Sequence, residues 1–380
     1  MDFDIQWLLL CLPMAFGLGW VASRLDIQQW KKDKGDAHKA YFRGLNFLLN
    51  EQQDKAIDAF IETVQHDPQT SELHFALGNL FRRRGEYERA VRVHQHLLNR
   101  ADLSQSERNR AQEGLAQDFL SAGLFDRAEQ AWQALEGTSF DTEARLALLT
   151  IQERSRDWPS AIETAQHLES SGIGSYAARI AHYWCELAQT AEVQQDAIQF
   201  AEYLSKARES SPLAARPLIL AGFRAKFVGE LHNAIQLWTQ LALVQPVFFN
   251  LVAKAYAEAA VECEEYVQAM ERLKTHYDHY PSIDILHALA IIDAQGHPAR
   301  LLEHLKHHPS LIAAQAMLST MHSSLPEPHH HLLDTAISQA AKPLQRYRCA
   351  ACGFEAQNYF WQCPACVSWD SFPPIKVEEL

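Results

Sequence analysis

The chain has 380 residues, 47% of them hydrophobic and 21% charged, a balance that supports packed domains and excludes a disordered polymer. Its 34 Lys and Arg against 47 Asp and Glu leave a formal net charge of -13, which repels phosphate backbones and argues against nucleic-acid binding. Of seven cysteines, four lie beyond position 348 and the other three (Cys11, Cys185, Cys263) are far apart in apolar stretches, so a disulfide framework is excluded and the isolated three read as small core residues.

The first element is apolar. Across residues 5–22 only Gln6 is polar, and at about 1.5 Å per helical residue this run just covers a bilayer core. Trp7 and Trp20 sit near its ends, where interfacial aromatics belong, and Pro13, Gly17 and Gly19 are tolerated in lipid. A cleaved signal peptide would carry a basic leader, yet only Asp2 and Asp4 precede the run and no A-x-A site follows. A buried soluble helix is the other alternative. Arg24, Lys31, Lys32 and Lys34 follow the run, so the charge bias places the bulk of the chain in the cytoplasm. Residues 1–23 are thus expected to be a single-pass anchor and 24–36 a juxtamembrane linker.

A ladder of small and large residues comes next. Around Ala90 it reads Leu77, Gly78, Phe81, Gly85, Tyr87, His94 and Leu97. Around Ala128 it reads Leu115, Ala116, Phe119, Gly123, Phe125, Trp132 and Leu135, and around Ala234 it reads Ala221, Gly222, Gly229, Leu231, Trp238, Leu241 and Pro246. Ala56, Ala161, Ala188 with Ala207, and Ala269 centre further copies, spaced by about thirty-four residues. A small residue belongs where two helices approach closely, and a larger apolar one a turn later fills the groove. The pattern resembles the tetratricopeptide repeat, which implies an all-α superhelical solenoid of helical hairpins over residues 37–282. Residues 283–342 keep helical periodicity without the ladder, as a degenerate repeat or capping helices would.

Nineteen histidines include a helical-face trio, His304, His307 and His308, and the run His329, His330 and His331. Such spacing can bind metal, but a solvated face or polar loop accounts for it more simply. No Walker loop, H-E-x-x-H, G-x-S-x-G or dinucleotide fingerprint occurs, and the acids and bases scatter over helix faces; the chain is expected not to be an enzyme.

The tail, 343–380, carries the clearest chemistry. Cys349-Ala350-Ala351-Cys352 and Cys363-Pro364-Ala365-Cys366 are two C-x2-C turns separated by ten residues. Each such turn presents two thiolates on one side with backbone N–H groups aimed at the sulfurs, and two turns complete a tetrahedral, closed metal site. Four thiolates suit zinc or iron. Gly353 follows the first turn but Val367 follows the second, and valine resists positive φ, so the second turn is expected to be less regular.

Anchor, repeats and knuckle in this order resemble the lipopolysaccharide assembly protein B family. The local matches are Asn46-Phe47-Leu48-Leu49, Gln52-Gln53-Asp54-Lys55-Ala56, Leu77-Gly78-Asn79-Leu80-Phe81-Arg82, Ala122-Gly123-Leu124-Phe125-Asp126-Arg127-Ala128 and Tyr347-Arg348-Cys349. The resemblance implies a regulatory adaptor of the bacterial inner membrane. Its partners would be a membrane-bound AAA metalloprotease and the lipid A pathway zinc deacetylase whose degradation it promotes, together with other lipopolysaccharide synthesis or transport proteins. It implies a rubredoxin-like, iron-binding domain held by Cys349, Cys352, Cys363 and Cys366. A membrane-tethered redox or electron-transfer protein is the alternative, weakened by an inter-knuckle segment much shorter than in a free-standing rubredoxin. A nucleic-acid zinc ribbon is a third, opposed by the net charge.

Overall fold

A computed structural model describes Trp20 and residues 42–44, 46–47, 50, 52–66, 71–320 and 327–380. The expected anchor and juxtamembrane linker lie outside the described residues, Trp20 excepted. Among the described residues no helix is long and apolar enough to cross a membrane. The chain forms two compact units that divide between Asp157 and Trp158, inside the segment marked by the repeat ladder.

The first unit carries α1 (Gln53–His66), α2 (Ser71–Arg83), α3 (Tyr87–Leu98), α4 (Gln105–Ser121), α5 (Phe125–Gln133) and α6 (Asp141–Ser155). The second carries α7 (Trp158–Ser170), α8 (Ala177–Val193), α9 (Ala197–Ser210), α10 (Ala215–Phe227) and α11 (Leu231–Val244), then a 3-10 turn at Pro246–Leu251. It continues with α12 (Ala253–Glu262), α13 (Tyr266–His279), α14 (Ile283–Ile292), α15 (His297–His307), α16 (Leu311–Thr320) and α17 (Glu327–Ala341). The only strands among the described residues, β1 (Tyr347–Arg348) and β2 (Glu355–Ala356), form one antiparallel pair in the tail.

The hairpins share one turn. After α2, α4, α6, α8, α10 and α12 a single residue takes positive φ: Gly85, Gly123, Arg156, Gln195, Gly229 and Glu264. In each case the next N–H reaches back five residues, from Glu86 to the Phe81 carbonyl, Leu124 to Phe119, Asp157 to Gln152, Asp196 to Ala191, Glu230 to Ala225 and Glu265 to Ala260, at 2.8–2.9 Å. This left-handed cap satisfies carbonyls that the helix end would otherwise orphan. Three of the six positions are not glycine, which is why the ladder fades around Ala161 and Ala269.

The alanines that centre the ladder are where the helices close on one another. Ala56, Ala90, Ala128, Ala161, Ala188, Ala207 and Ala234 are wholly buried and Ala269 nearly so. In the first unit the His94 ring lies between two glycines: a Cβ on Gly78 would fall 2.5 Å from it and one on Gly114 2.7 Å away. His94 Nδ1 meets Asp118 Oδ2 at 2.5 Å, and Arg82 Nη1 donates to the other Asp118 oxygen at 2.9 Å and to the Gly114 carbonyl at 3.1 Å. A buried carboxylate is thus held by two basic side chains, as burial of a charge requires.

In the second unit Gly222 of α10 faces the buried Trp238 of α11, and a Cβ there would sit 2.2 Å from Trp238 Nε1. Gly222→Ala must therefore displace a ring with no room to move. The substitution is expected to lower stability by about 1–3 kcal/mol, measured by chemical denaturation, through overpacking alone. An unchanged midpoint would show that the α10–α11 crossing is looser than described.

Candidate metal centre

The tail is too short to bury a core of its own, and its local geometry is written by the two C-x2-C turns. Both turns close identically. Cys349 N donates to the Phe354 carbonyl and Gly353 N to the Cys349 carbonyl; fourteen positions on, Cys363 N donates to the Ser368 carbonyl and Val367 N to the Cys363 carbonyl, all at 2.9 Å. The expectation of a less regular second turn is corrected here. Val367 takes φ 62° where Gly353 takes φ 78°, so the valine accepts the left-handed conformation because both ends of its turn are tied.

The four sulfurs converge. All four Sγ atoms lie within 4.8 Å of one another, with Cys349 and Cys366 at 3.8 Å and Cys352 and Cys363 at 3.7 Å. Cys349 and Cys363 are buried, Cys366 is half-buried and Cys352 is exposed. Burial works against ionising Cys349, but the Ser371 hydroxyl and the N–H groups of Cys352 and Ala351 outweigh it and bring the thiol down to about 6. The Ser368 hydroxyl and N–H likewise lower Cys366. Cys352 is driven the other way, up to about 12: the Phe354 N–H favours its thiolate, but burial and the neighbouring sulfurs of Cys366, Cys349 and Cys363 prevail. Four thiols this close cannot all ionise alone, and a cation among them removes that conflict. The donor set fits one metal ion in a closed, all-sulfur site. Geometry and ligand type do not choose between iron and zinc.

Residues beyond the cysteines seat this domain on the helices of the second unit. Asp370 accepts from His182 Nε2 of α8 at 2.9 Å through both oxygens, and Trp369 stacks on the same buried imidazole at 4.9 Å. Trp361 stacks on Phe248 of the 3-10 turn at 5.3 Å and lies under the Arg216 guanidinium of α10. The chain end caps two further helices. Glu379 accepts from Ile283 N at 2.7 Å and from Ser282 Oγ at 3.2 Å at the start of α14. Glu378 accepts from Ser310 Oγ at 2.6 Å, Ile312 N at 3.0 Å and Leu311 N at the start of α16. A carboxylate at a helix N-terminus satisfies free N–H groups and meets the favourable end of the dipole. Sequence reasoning missed Asp370, Glu378 and Glu379. Ser282 and Ser310 just before apolar runs were the one signal, as helix starts awaiting a partner.

The other candidates do not join this site. His304 is buried against the Tyr277 hydroxyl at 2.6 Å, while His307 is exposed beside Glu303. His330 is buried and its Nε2 meets the Leu318 carbonyl, whereas His329 and His331 are exposed. Among the described residues the four cysteines are the only group of three or more that brings metal-ligating atoms together. Cys185 is fully buried, and burial holds its thiol up at about 12; Cys263 packs at the edge of the core and Cys11 lies outside the described residues.

A family model described as a rubredoxin metal binding domain matches residues 347–374. Over 385 aligned residues, 98% of each chain, the sequence is 31% identical to lipopolysaccharide assembly protein B of Escherichia coli strain K12. The chain belongs to the lipopolysaccharide assembly protein B family. The protein of that name from Haemophilus influenzae is 27% identical over 99% of each chain. A solved tetratricopeptide repeat protein from Parabacteroides merdae is 12% identical and covers 80% of this chain and 99% of its own, with a TM-score of 0.32.

In this member of the lipopolysaccharide assembly protein B family, Val367 is a point of stored strain, since a β-branched residue at positive φ costs about 1–3 kcal/mol. Val367→Gly is expected to tighten the centre. The metal-loaded protein should resist a competing chelator more strongly, by an amount equivalent to about 1 kcal/mol. Easier loss of metal would mean that the valine side chain contributes packing worth more than the strain.

Proposed function

We propose that this chain is an inner-membrane adaptor of lipopolysaccharide assembly. In this reading residues 1–23 hold it in the membrane as a single-pass anchor, 24–36 form a linker, and the bulk lies on the cytoplasmic side. The repeats of 37–282, with 283–342 as a degenerate repeat or capping helices, gather a membrane-bound AAA metalloprotease and the lipid A pathway zinc deacetylase, promoting proteolysis of the latter. They also serve as a scaffold for other lipopolysaccharide synthesis or transport proteins. Family membership along nearly the whole chain is the observation that carries the reading.

The physical features agree with binding in preference to catalysis. Hairpin stacks present long surfaces for partner segments. Exposed apolar residues recur at the hairpin turns of the second unit: Val193, Ile198, Phe227 and Val228 at the turns of α8–α9 and α10–α11, then Val261, Tyr266 and Val267 at that of α12–α13. Val193 and Phe227 line one groove with Phe200, Leu220 and Phe223, and grouped exposed apolar residues of this kind mark interaction sites. Confinement to the membrane raises the effective concentration of partners on the same surface, so that weak contacts suffice. Deleting residues 1–23 should therefore leave a folded protein that no longer lowers deacetylase levels in cells. Full regulation by the soluble form would remove anchoring from the mechanism.

Cys349, Cys352, Cys363 and Cys366 are proposed as ligands of one iron or zinc ion whose role is to fold the tail against the helices. Metal binding supplies the folding energy that a domain of this size lacks. Zinc in place of iron should then preserve deacetylase regulation, because both satisfy four thiolates and only iron changes oxidation state in the cell. Loss of regulation in the colourless zinc form would restore the electron-transfer alternative.

A further inference from the structure

Two serines stand beside the four sulfurs, one for each C-x2-C turn. Cys349 Sγ of the first turn lies 3.3 Å from Ser371 Oγ, and Cys366 Sγ of the second lies 3.3 Å from Ser368 Oγ. These two cysteines are also neighbours, with sulfurs 3.8 Å apart. As thiols, both donate to the serine oxygens. A metal-bound sulfur carries no proton and can only accept, so both contacts must reverse when a metal is held. The reversal depends on where each hydroxyl proton goes.

Both protons are available. Ser368 Oγ makes no other side-chain hydrogen bond among the described residues, so its O–H can turn to Cys366 without breaking one. Ser371 Oγ donates to the Ser368 carbonyl at 3.1 Å, but that carbonyl also accepts from Cys363 N at 2.9 Å. Turning the Ser371 O–H to Cys349 therefore leaves the carbonyl paired, and no acceptor is orphaned. The backbone fixes the two serines in place. The Ser371 carbonyl accepts from Ala350 N inside the first turn at 2.7 Å, and the Ser368 carbonyl closes the second turn through Cys363 N. Asp370, between them, is held by His182 of α8, so the segment is pinned to both turns and to the helices. Both serines are half-buried, where water competes less for the sulfurs.

We propose that Ser368 and Ser371 are positioning residues of the metal centre, donating their O–H groups to the metal-bound thiolates of Cys366 and Cys349. Four thiolates bring more negative charge than one divalent ion neutralises. Hydrogen bonds to the sulfurs spread that excess and hold each ligand in its orientation. The proposal rests on the reading of the four cysteines as metal ligands and deepens it, by naming the residues that set how tightly the ion is held.

The full-length chain is loaded with cobalt(II), whose sulfur-to-metal absorption reports the electron density on the thiolates, and affinity is read by competition with a chelator. Ser368→Ala and Ser371→Ala should each weaken cobalt binding roughly 10-fold. Each should also move the absorption to longer wavelength, because a sulfur without its donor gives up charge more readily. Ser368→Thr and Ser371→Thr keep the hydroxyl and should match the unsubstituted chain in both readouts. Alanine variants that retain the original absorption overturn the proposal even if their affinity falls, since lost packing alone would do that. Threonine variants that behave like the alanine ones overturn it as well. Ser368→Ala removes no hydrogen bond that the fold uses, so it decides the matter if Ser371→Ala fails to fold. An unsubstituted chain that takes up no cobalt refutes the ligand reading itself, which separates that failure from failure of the serine assignment.

Discussion

Two helices can lie side by side only as closely as their facing residues allow, and in this protein that distance is set by alanine and glycine. Ala90, Ala128 and Ala234 are wholly buried, and Gly78, Gly114 and Gly222 face rings with no space for one more carbon. Large side chains then fill what the small ones leave open. His94 and Trp238 sit four residues after the central alanine of their copies, one helical turn on, and enter the space beside a glycine. The left-handed turn that links the helices is the second half of this constraint. Where glycine is absent, Arg156, Gln195 and Glu264 adopt the same conformation, because the reverse hydrogen bond at the helix end imposes it.

The C-terminal domain depends on this scaffold in a different way. It has two strands of two residues each and a few buried aromatics, so its geometry comes from four converging sulfurs and from its seat on the second unit. The seat combines aromatic stacking, a carboxylate–histidine contact and two glutamates spent on helix starts. Helices as far apart in the chain as α8 and α16 meet the same short tail. A closed site held in this manner has no open coordination position for a substrate.

The repeat ladder was legible because little besides closely packed helical hairpins calls for small residues at a fixed spacing. The metal site was legible because paired C-x2-C turns bring four thiols together, an arrangement that is unstable without a cation. Weaker copies were harder to read. Around Ala161 and Ala269 the turn residue is arginine or glutamate, and no local rule marks those as left-handed. Val367 misleads for the same reason: its own preference opposes positive φ, and hydrogen bonds at both ends of the turn overrule that preference.

Spacing within the chain determined the hairpins, the alanines that would be buried and the four cysteines that would converge, since each depends on residues within a few turns of one another. Tertiary structure alone decided that Asp370 reaches His182 and that Glu378 and Glu379 cap α16 and α14. These contacts join residues from 66 to 188 positions apart. Nothing in the local pattern of a glutamate or a histidine states what will stand opposite it, because the partner is supplied by the stacking of helices and not by the chain on either side.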